Sequence, residues 1–455
     1  MEMVLEFLRD VLSQPALLIG IMSCIGLIAL KRPFHKIMTG TLKPILGYLM
    51  LAAGAGVIVS NLDPLGKMIE HGFHITGVVP NNEAIVAVAQ KVLGVETMSI
   101  LVVGLLMNLC IARFTKFKYV FLTGHHSLFM ACLMSAVLGT AGLSGMELIL
   151  VGGFLMGAWS AISPAIGQSY TSKVTDGDEI AIGHFGSLGY YLSAWVAKYV
   201  GKAEDSTEDI EIPEKWGFLR DSTLSTALTM IVFYLIAAIA AGSEFVSTLS
   251  GDMSPYLYAV MSAMNFAVGV TIVYSGVRMI LGDLIPAFQG IATKIIPNAI
   301  PAVDCAVFFT YAPTAVVLGF LSSFIGGIIG MLILGAVGGV LIIPGLVPHF
   351  FCGATAGIYG NATGGRRGAA VGAFLNGLAI TFLPALALPV LGQLGFQNTT
   401  FGDADFAVMG LVLGNAYEWV GMAGIYGIVA IAALVLIVPN FIKTKGKVIN
   451  YVEED

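Results

Sequence analysis

The sequence predicts an all-α polytopic integral membrane protein, with about eleven membrane helices and several broken or re-entrant segments. Three observations carry that reading. Of 455 residues, 57% are hydrophobic and 11% charged, with a mean hydropathy of +0.89, whereas soluble globular proteins carry about 25% charged residues. Roughly 20 apolar residues cross the hydrocarbon core, and about ten such stretches run near 15–30, 44–60, 97–112, 127–141, 147–166, 223–243, 257–281, 314–345, 371–395 and 420–440. Fifty-six glycines fit close helix packing and non-helical crossings. Segments 168–200 and 283–313 are ambiguous, and 314–345 is long enough to shift the count by one or two.

The chain opens with Glu2, Glu6, Arg9 and Asp10 rather than a basic n-region, so no cleavable signal peptide is expected. The loops Lys31 to Lys43 and Arg113 to Lys118 are basic, whereas residues 61–96 between them carry Asp63, Glu70, Glu83 and Glu96 against Lys67 and Lys91. The excess of Lys and Arg on the cytoplasmic side then places both basic loops inside, residues 61–96 outside and the N-terminus outside. The tail Lys443-Thr444-Lys445-Gly446-Lys447 reads as inside. Opposite termini need an odd number of crossings, which favours eleven over ten.

The longest polar stretch, 198–221, contains Glu204-Asp205-Ser206-Thr207-Glu208-Asp209 and reads as a solvated cytoplasmic loop. Its functional alternative is a docking surface for a soluble partner. No linker or composition shift marks a second domain, so 1–455 is read as one membrane unit. The five cysteines, Cys24, Cys110, Cys132, Cys305 and Cys352, show no metal-ligand spacing and read as small packing residues. No metal, cofactor or nucleic-acid signal emerges, and no phosphate-cradling glycine loop with its lysine supports ATP-driven transport.

Four polar islands interrupt the apolar segments. Leu122-Thr123-Gly124-His125-His126 offers imidazoles suited to polyol recognition or proton handling; the alternative is a histidine satisfied by a backbone carbonyl. Lys173 to Gly186 carries Asp176, Asp178, Glu179 and His184, and lacks the spacing of an EF-hand loop. Asp283 to Asp304 includes Pro286, Pro297 and Pro301. A carboxylate such as Asp304 in an apolar, proline-broken segment is costly unless it faces a polar cavity or a partner. Paired interruptions of this kind point to a binding site near mid-membrane. The fourth island runs from Pro344 to Arg367. Arg366 and Arg367 read as a cytoplasmic boundary, with a phosphate contact as the sharper alternative.

At these islands the chain resembles the membrane-embedded IIC component of the L-ascorbate phosphotransferase system, within the ascorbate–galactitol superfamily. The matching stretches are Leu122-Thr123-Gly124-His125, Val174-Thr175-Asp176-Gly177, Ile182-Gly183-His184, Ala302-Val303-Asp304-Cys305-Ala306, Ala312-Pro313 with Ala315-Val316, and Ile342-Ile343-Pro344-Gly345. The resemblance runs from about residue 10 to 440. It implies a homodimer of eleven-helix chains in the cell membrane, each with a substrate-holding core domain and a dimerising scaffold domain. It also implies soluble IIA and IIB partners, the last phosphoryl donor being a phosphocysteine on IIB, so that no catalytic donor residue lies on this chain.

On the matching positions, His125, His184 and Asp304 would be substrate ligands, and Gly54 and Gly56 would let backbone approach the sugar. Three positions depart from the family pattern. Phe129 and Phe185 stand where ascorbate carriers have glutamines, and Glu83 where they have an outer-loop tyrosine. Aromatic faces stack on a sugar but cannot make bidentate hydrogen bonds to its hydroxyls. The expected activity is therefore group translocation of ascorbate or a related small polyol. The alternative is a secondary transporter in which Asp304, Glu83 or a histidine carries a coupling proton.

Overall fold

A computed structural model describes residues 11, 14–74, 77–78, 80, 82–177, 179–210, 222–392 and 400–441. The acidic N-terminal residues 1–10, the basic tail 443–447, Asp178, residues 211–221 and the side chain of Glu83 lie outside the described residues.

In hydrocarbon every backbone polar group must find an internal partner, so long apolar runs fold as helices. Among the described residues these are α1 (Pro15–Ala29), α2 (Phe34–Phe73), α3 (Asn82–Phe114), α4 (Gly124–Thr140), α5 (Gly145–Thr175), α6 (Ser187–Val200), α7 (Ser222–Ala241), α8 (Ser243–Ser250), α9 (Pro255–Lys294), α10 (Pro313–Ala336), α11 (Leu346–Gly392), α12 (Ala404–Val420) and α13 (Met422–Ile437). Three short strands complete the list: β1 (Tyr119–Phe121), β2 (Ala181–Ile182) and β3 (Ile300–Val303).

Among the described residues, seven helices are long and apolar enough to cross a membrane, or eight if α7 and α8, bent by 116° at Gly242, act as one span. The expected count of eleven is not confirmed. Two apolar runs gave helices of 15 and 17 residues, α1 and α4, which fall short of the roughly 20 residues that a span needs. The described part of the run at 371–395 shares α11 with the fourth island from Leu346 onward.

Helices α1, α2, α7 and α9 pack together, with α2 lying along α9. That crossing is close because it is lined by glycine: a Cβ on Gly54 would stand 2.7 Å from the Gly269 carbonyl oxygen, and one on Gly47 would stand 2.9 Å from that of Gly276. Elsewhere α3, α4 and α5 pack on one another, α11 lies between α6 and α10, and α12 and α13 close against α11 and α5.

Helix α11 is two helices joined at Gly364 and Gly365. Gly365 has φ +61°, and a Cβ there would meet the carbonyl oxygens of Lys202 and Asp205 at 2.3 and 2.5 Å. Both the left-handed backbone and the contact require glycine. The acidic segment, expected as a free loop, is tied down here along residues 202–208. The Arg366 N–H donates to the Asp205 carbonyl at 2.8 Å, and the Thr207 N–H donates to Asn361 Oδ1 at 2.8 Å. Glu208 reaches α10, accepting from the N–H groups of Thr314 (3.0 Å) and Ala315 (3.1 Å) and from the Thr314 hydroxyl (2.9 Å). A carboxylate on the unpaired N–H groups of a helix start stabilises it. Glu208→Ala is expected to lower stability by about 1 kcal/mol, read as a lower thermal unfolding midpoint, with Glu208→Gln recovering part of the loss.

The strands form a parallel sheet in the order β1-β3-β2, buried throughout. Register pairs Val120 with Pro301 and Ile182 with Val303. Proline at 301 gives up a ladder donor in the central strand, and bonds around it hold the sheet: Ile300 N–H to Lys118 O at 2.8 Å, Leu122 N–H to Ala302 O at 2.9 Å, and Gly183 N–H to Val303 O at 2.7 Å. Lys118, in the basic loop before β1, donates from Nζ to the Ala112 carbonyl at 3.0 Å. Burial, then the charge of Arg113, pulls its ammonium below the ordinary lysine value.

Candidate substrate site

Parallel pairing points all three strands the same way, so the residues that follow them meet at one end of the sheet. Strand β1 leads through Thr123 into His125 and His126 at the start of α4, β2 leads into Gly183 and His184, and β3 leads into Asp304.

Asp304 is 7% exposed. Its Oδ1 accepts from the Ala306 N–H at 3.1 Å, capping the 3-10 stretch Cys305–Thr310. Its Oδ2 stands 3.5 Å from His125 Nε2. On the other side of that ring, Nδ1 is 3.4 Å from the Tyr48 hydroxyl, which brings α2 to the site. A neutral imidazole satisfies both contacts, with Tyr48 O–H donating to Nδ1 and Nε2–H facing the carboxylate.

Two further histidines lie beside this pair. The rings of His126 and His184 lie 3.8 Å apart. His126 Nδ1 accepts from the Phe185 N–H at 3.3 Å. His184 Nδ1 accepts from the Gly186 N–H at 3.1 Å and lies 2.8 Å from the Tyr190 hydroxyl. A backbone N–H can only donate, so both rings hold a lone pair on Nδ1 and their proton on Nε2. Each is thus a neutral donor, fit to give a hydrogen bond to a hydroxyl oxygen.

Two buried carboxylates follow on the 402–405 segment. Asp403 Oδ1 accepts from Cys352 Sγ at 2.6 Å and Oδ2 from Asn82 Nδ2 at 2.5 Å. Asn82 also accepts the Gly402 N–H at 2.9 Å. Asp405 is fully buried and accepts from Ser187 Oγ (2.8 Å), Leu188 N–H (2.9 Å) and Trp159 Nε1 (3.2 Å), joining α5, α6 and α12. Two residue triples, His184-Asp304-Cys305 and His184-Cys352-Asp403, each bring ligand-type atoms within 4.8 Å of one another. The hydrogen bonds do not suit a metal: His184 would have to move its Nε2 proton to Nδ1, against the Gly186 N–H, or give up that bond to ligate.

His125, His184 and Asp304 therefore come together as the sequence suggested. Phe129 joins them, half-buried, its ring 5.8 Å from that of His125. Phe185 is fully buried, stacked on Phe121 at 4.6 Å and edge-on to Phe406 at 5.6 Å, so its ring serves an aromatic cluster behind the histidines. Gly54 lies in the α2–α9 crossing, while Gly56 is exposed, with no atom within 4 Å of where a Cβ would stand. Sequence reasoning passed over Tyr48, Asn82, Asp403, Asp405 and the site role of Cys352. Gly402-Asp403-Ala404-Asp405, two acids in an apolar chain, carried the same signal as Asp304.

A family model for PTS system sugar-specific permease components, EIIC-GAT, matches residues 10–405. The ascorbate-specific PTS system EIIC component of Mycoplasma pneumoniae is 27% identical over 417 residues, covering 78% of this chain and 62% of that protein. The chain thus spans less than two thirds of that relative's length. The strand ends and the residues gathered there, from His125 to Asp403, all fall inside the matched range, and the apolar helices that hold them are what a permease needs. The chain belongs to the EIIC-GAT family of PTS sugar-specific permease components.

Proposed function

We propose that this chain is the IIC permease that carries L-ascorbate or a related small polyol across the cell membrane. The bound sugar would then be phosphorylated by a separate IIB protein, whose phosphocysteine, itself charged by IIA, hands its phosphoryl group to a sugar hydroxyl. The observation that carries the reading is the Asp304–His125 contact at 3.5 Å, set beside the closely packed His126 and His184 where three buried strands end. A carboxylate accepts from a sugar hydroxyl and the Nε2–H groups donate to another, so the cluster can bind vicinal hydroxyls from both sides. His125, His184 and Asp304 are the ligands in this reading, with Phe129 as an apolar wall.

The protein acts as a homodimer in the bilayer, with the N-terminus outside and the C-terminus cytoplasmic. The basic loops Lys31 to Lys43 and Arg113 to Lys118 support that orientation. The test is uptake and binding by membranes containing the full chain with its IIB and IIA partners. Sugar uptake should require phosphoenolpyruvate and yield phosphorylated product, and His125→Ala and His184→Ala should each bind at least about tenfold more weakly while remaining folded. Uptake that collapses with a protonophore while phosphoenolpyruvate remains available would instead assign a proton-coupled carrier.

A further inference from the structure

Asp403 occupies the N-cap position of α12 yet makes no cap bond to its own helix. An aspartate there normally turns back onto the helix N–H groups. Here both oxygens are drawn the other way, to Cys352 and Asn82, and the carboxylate comes within 4.8 Å of His184. Both bonds are donated to it, which suits the ionised form. Only 5% of Asp403 is exposed.

His184 therefore lies within 4.8 Å of two buried carboxylates, Asp304 just after β3 and Asp403 before α12. Among the described residues no lysine or arginine forms an ion pair with either acid. His126 and His184 are held neutral by the backbone N–H groups of Phe185 and Gly186. The hydroxyl of Thr123, buried at the end of β1 next to His125, has no hydrogen-bond partner. The site thus offers acceptors and neutral donors, suited to a ligand rich in O–H groups. An anion brought between two carboxylates at low dielectric is repelled, because such interactions strengthen away from water.

We propose that Asp403, held by Asn82 and Cys352, is a second ligand-binding carboxylate of this site and sets its preference for an uncharged, hydroxyl-rich solute over an anion. The proposal rests on the permease reading above and narrows its substrate class.

The test compares L-ascorbate, an anion at neutral pH, with the uncharged L-gulono-1,4-lactone, which shares its carbon skeleton, and with xylitol. Binding is measured calorimetrically on the full-length purified chain. The wild type should bind the lactone or xylitol at least tenfold more tightly than ascorbate, and Asp403→Asn should narrow that ratio by about tenfold, chiefly by gaining ascorbate affinity. Tighter binding of ascorbate by the wild type, or an unchanged ratio in a folded Asp403→Asn, overturns the proposal while leaving the permease reading intact. The wild-type comparison decides alone if the variant fails to fold. Failure of folded wild type to bind any of the three, or any other sugar, sinks the permease reading and this inference with it.

Discussion

Replacing Asp304 by asparagine is expected to weaken substrate binding at least tenfold while leaving the fold intact. The amide oxygen of the variant can still accept from the Ala306 N–H, which Asp304 Oδ1 now does at 3.1 Å, so the turn after β3 keeps its cap. The other side of the group changes. An amide N–H would face His125 Nε2, a donor at 3.5 Å in the wild type, and the acceptor offered to a sugar hydroxyl would be lost. A hydrogen bond to a charged group contributes about 1.5–3 kcal/mol, and 1.4 kcal/mol is tenfold in affinity. The measurement is sugar affinity by calorimetry alongside the thermal midpoint of the same preparation. Wild-type affinity in a folded variant would make Asp304 a structural acid.

The second large effect concerns stability. Asp405→Ala should lower the free energy of unfolding by at least about 3 kcal/mol, because it strands the Leu188 N–H, the Trp159 indole N–H and the Ser187 hydroxyl inside the protein. A buried donor left without its acceptor costs about 1–3 kcal/mol. These three donors belong to α5 and α6, so the loss would loosen the seat of His184 from behind. Asp405→Asn keeps an acceptor and should be milder. Chemical unfolding of the detergent-solubilised chain measures both, and a midpoint for Asp405→Ala equal to the wild type would refute the structural role. The contrast with Asp304 separates two buried acids: Asp405 ties three donors of α5 and α6 together, whereas Asp304 turns one oxygen toward a histidine that also borders the site.

The membrane class and the polar islands were legible because they rest on local chemistry. A chain with 57% hydrophobic residues can satisfy its backbone in lipid only through helices or closed barrels. Asp304, His125 and His184 likewise announced themselves as polar groups in apolar surroundings. The number of spans was less legible. Hydropathy does not show where one helix continues through a proline, as α2 does past Pro44 and Pro64, nor where an apolar run such as α4 stops at 17 residues.

What the sequence determined by itself is therefore the solvent this protein lives in and the residues that could not be there for packing alone. What only the tertiary structure decided is which of them meet. Parallel pairing of strands two to four residues long, separated by up to 179 residues from Phe121 to Ile300, brought three strand ends together. The same packing turned Asp403 off its own helix toward Cys352, buried Phe185 among aromatic rings and put Gly54 into a helix crossing. Each outcome depends on contacts between distant segments. Their free energy is set by the whole packed arrangement, and no local pattern of residues encodes it.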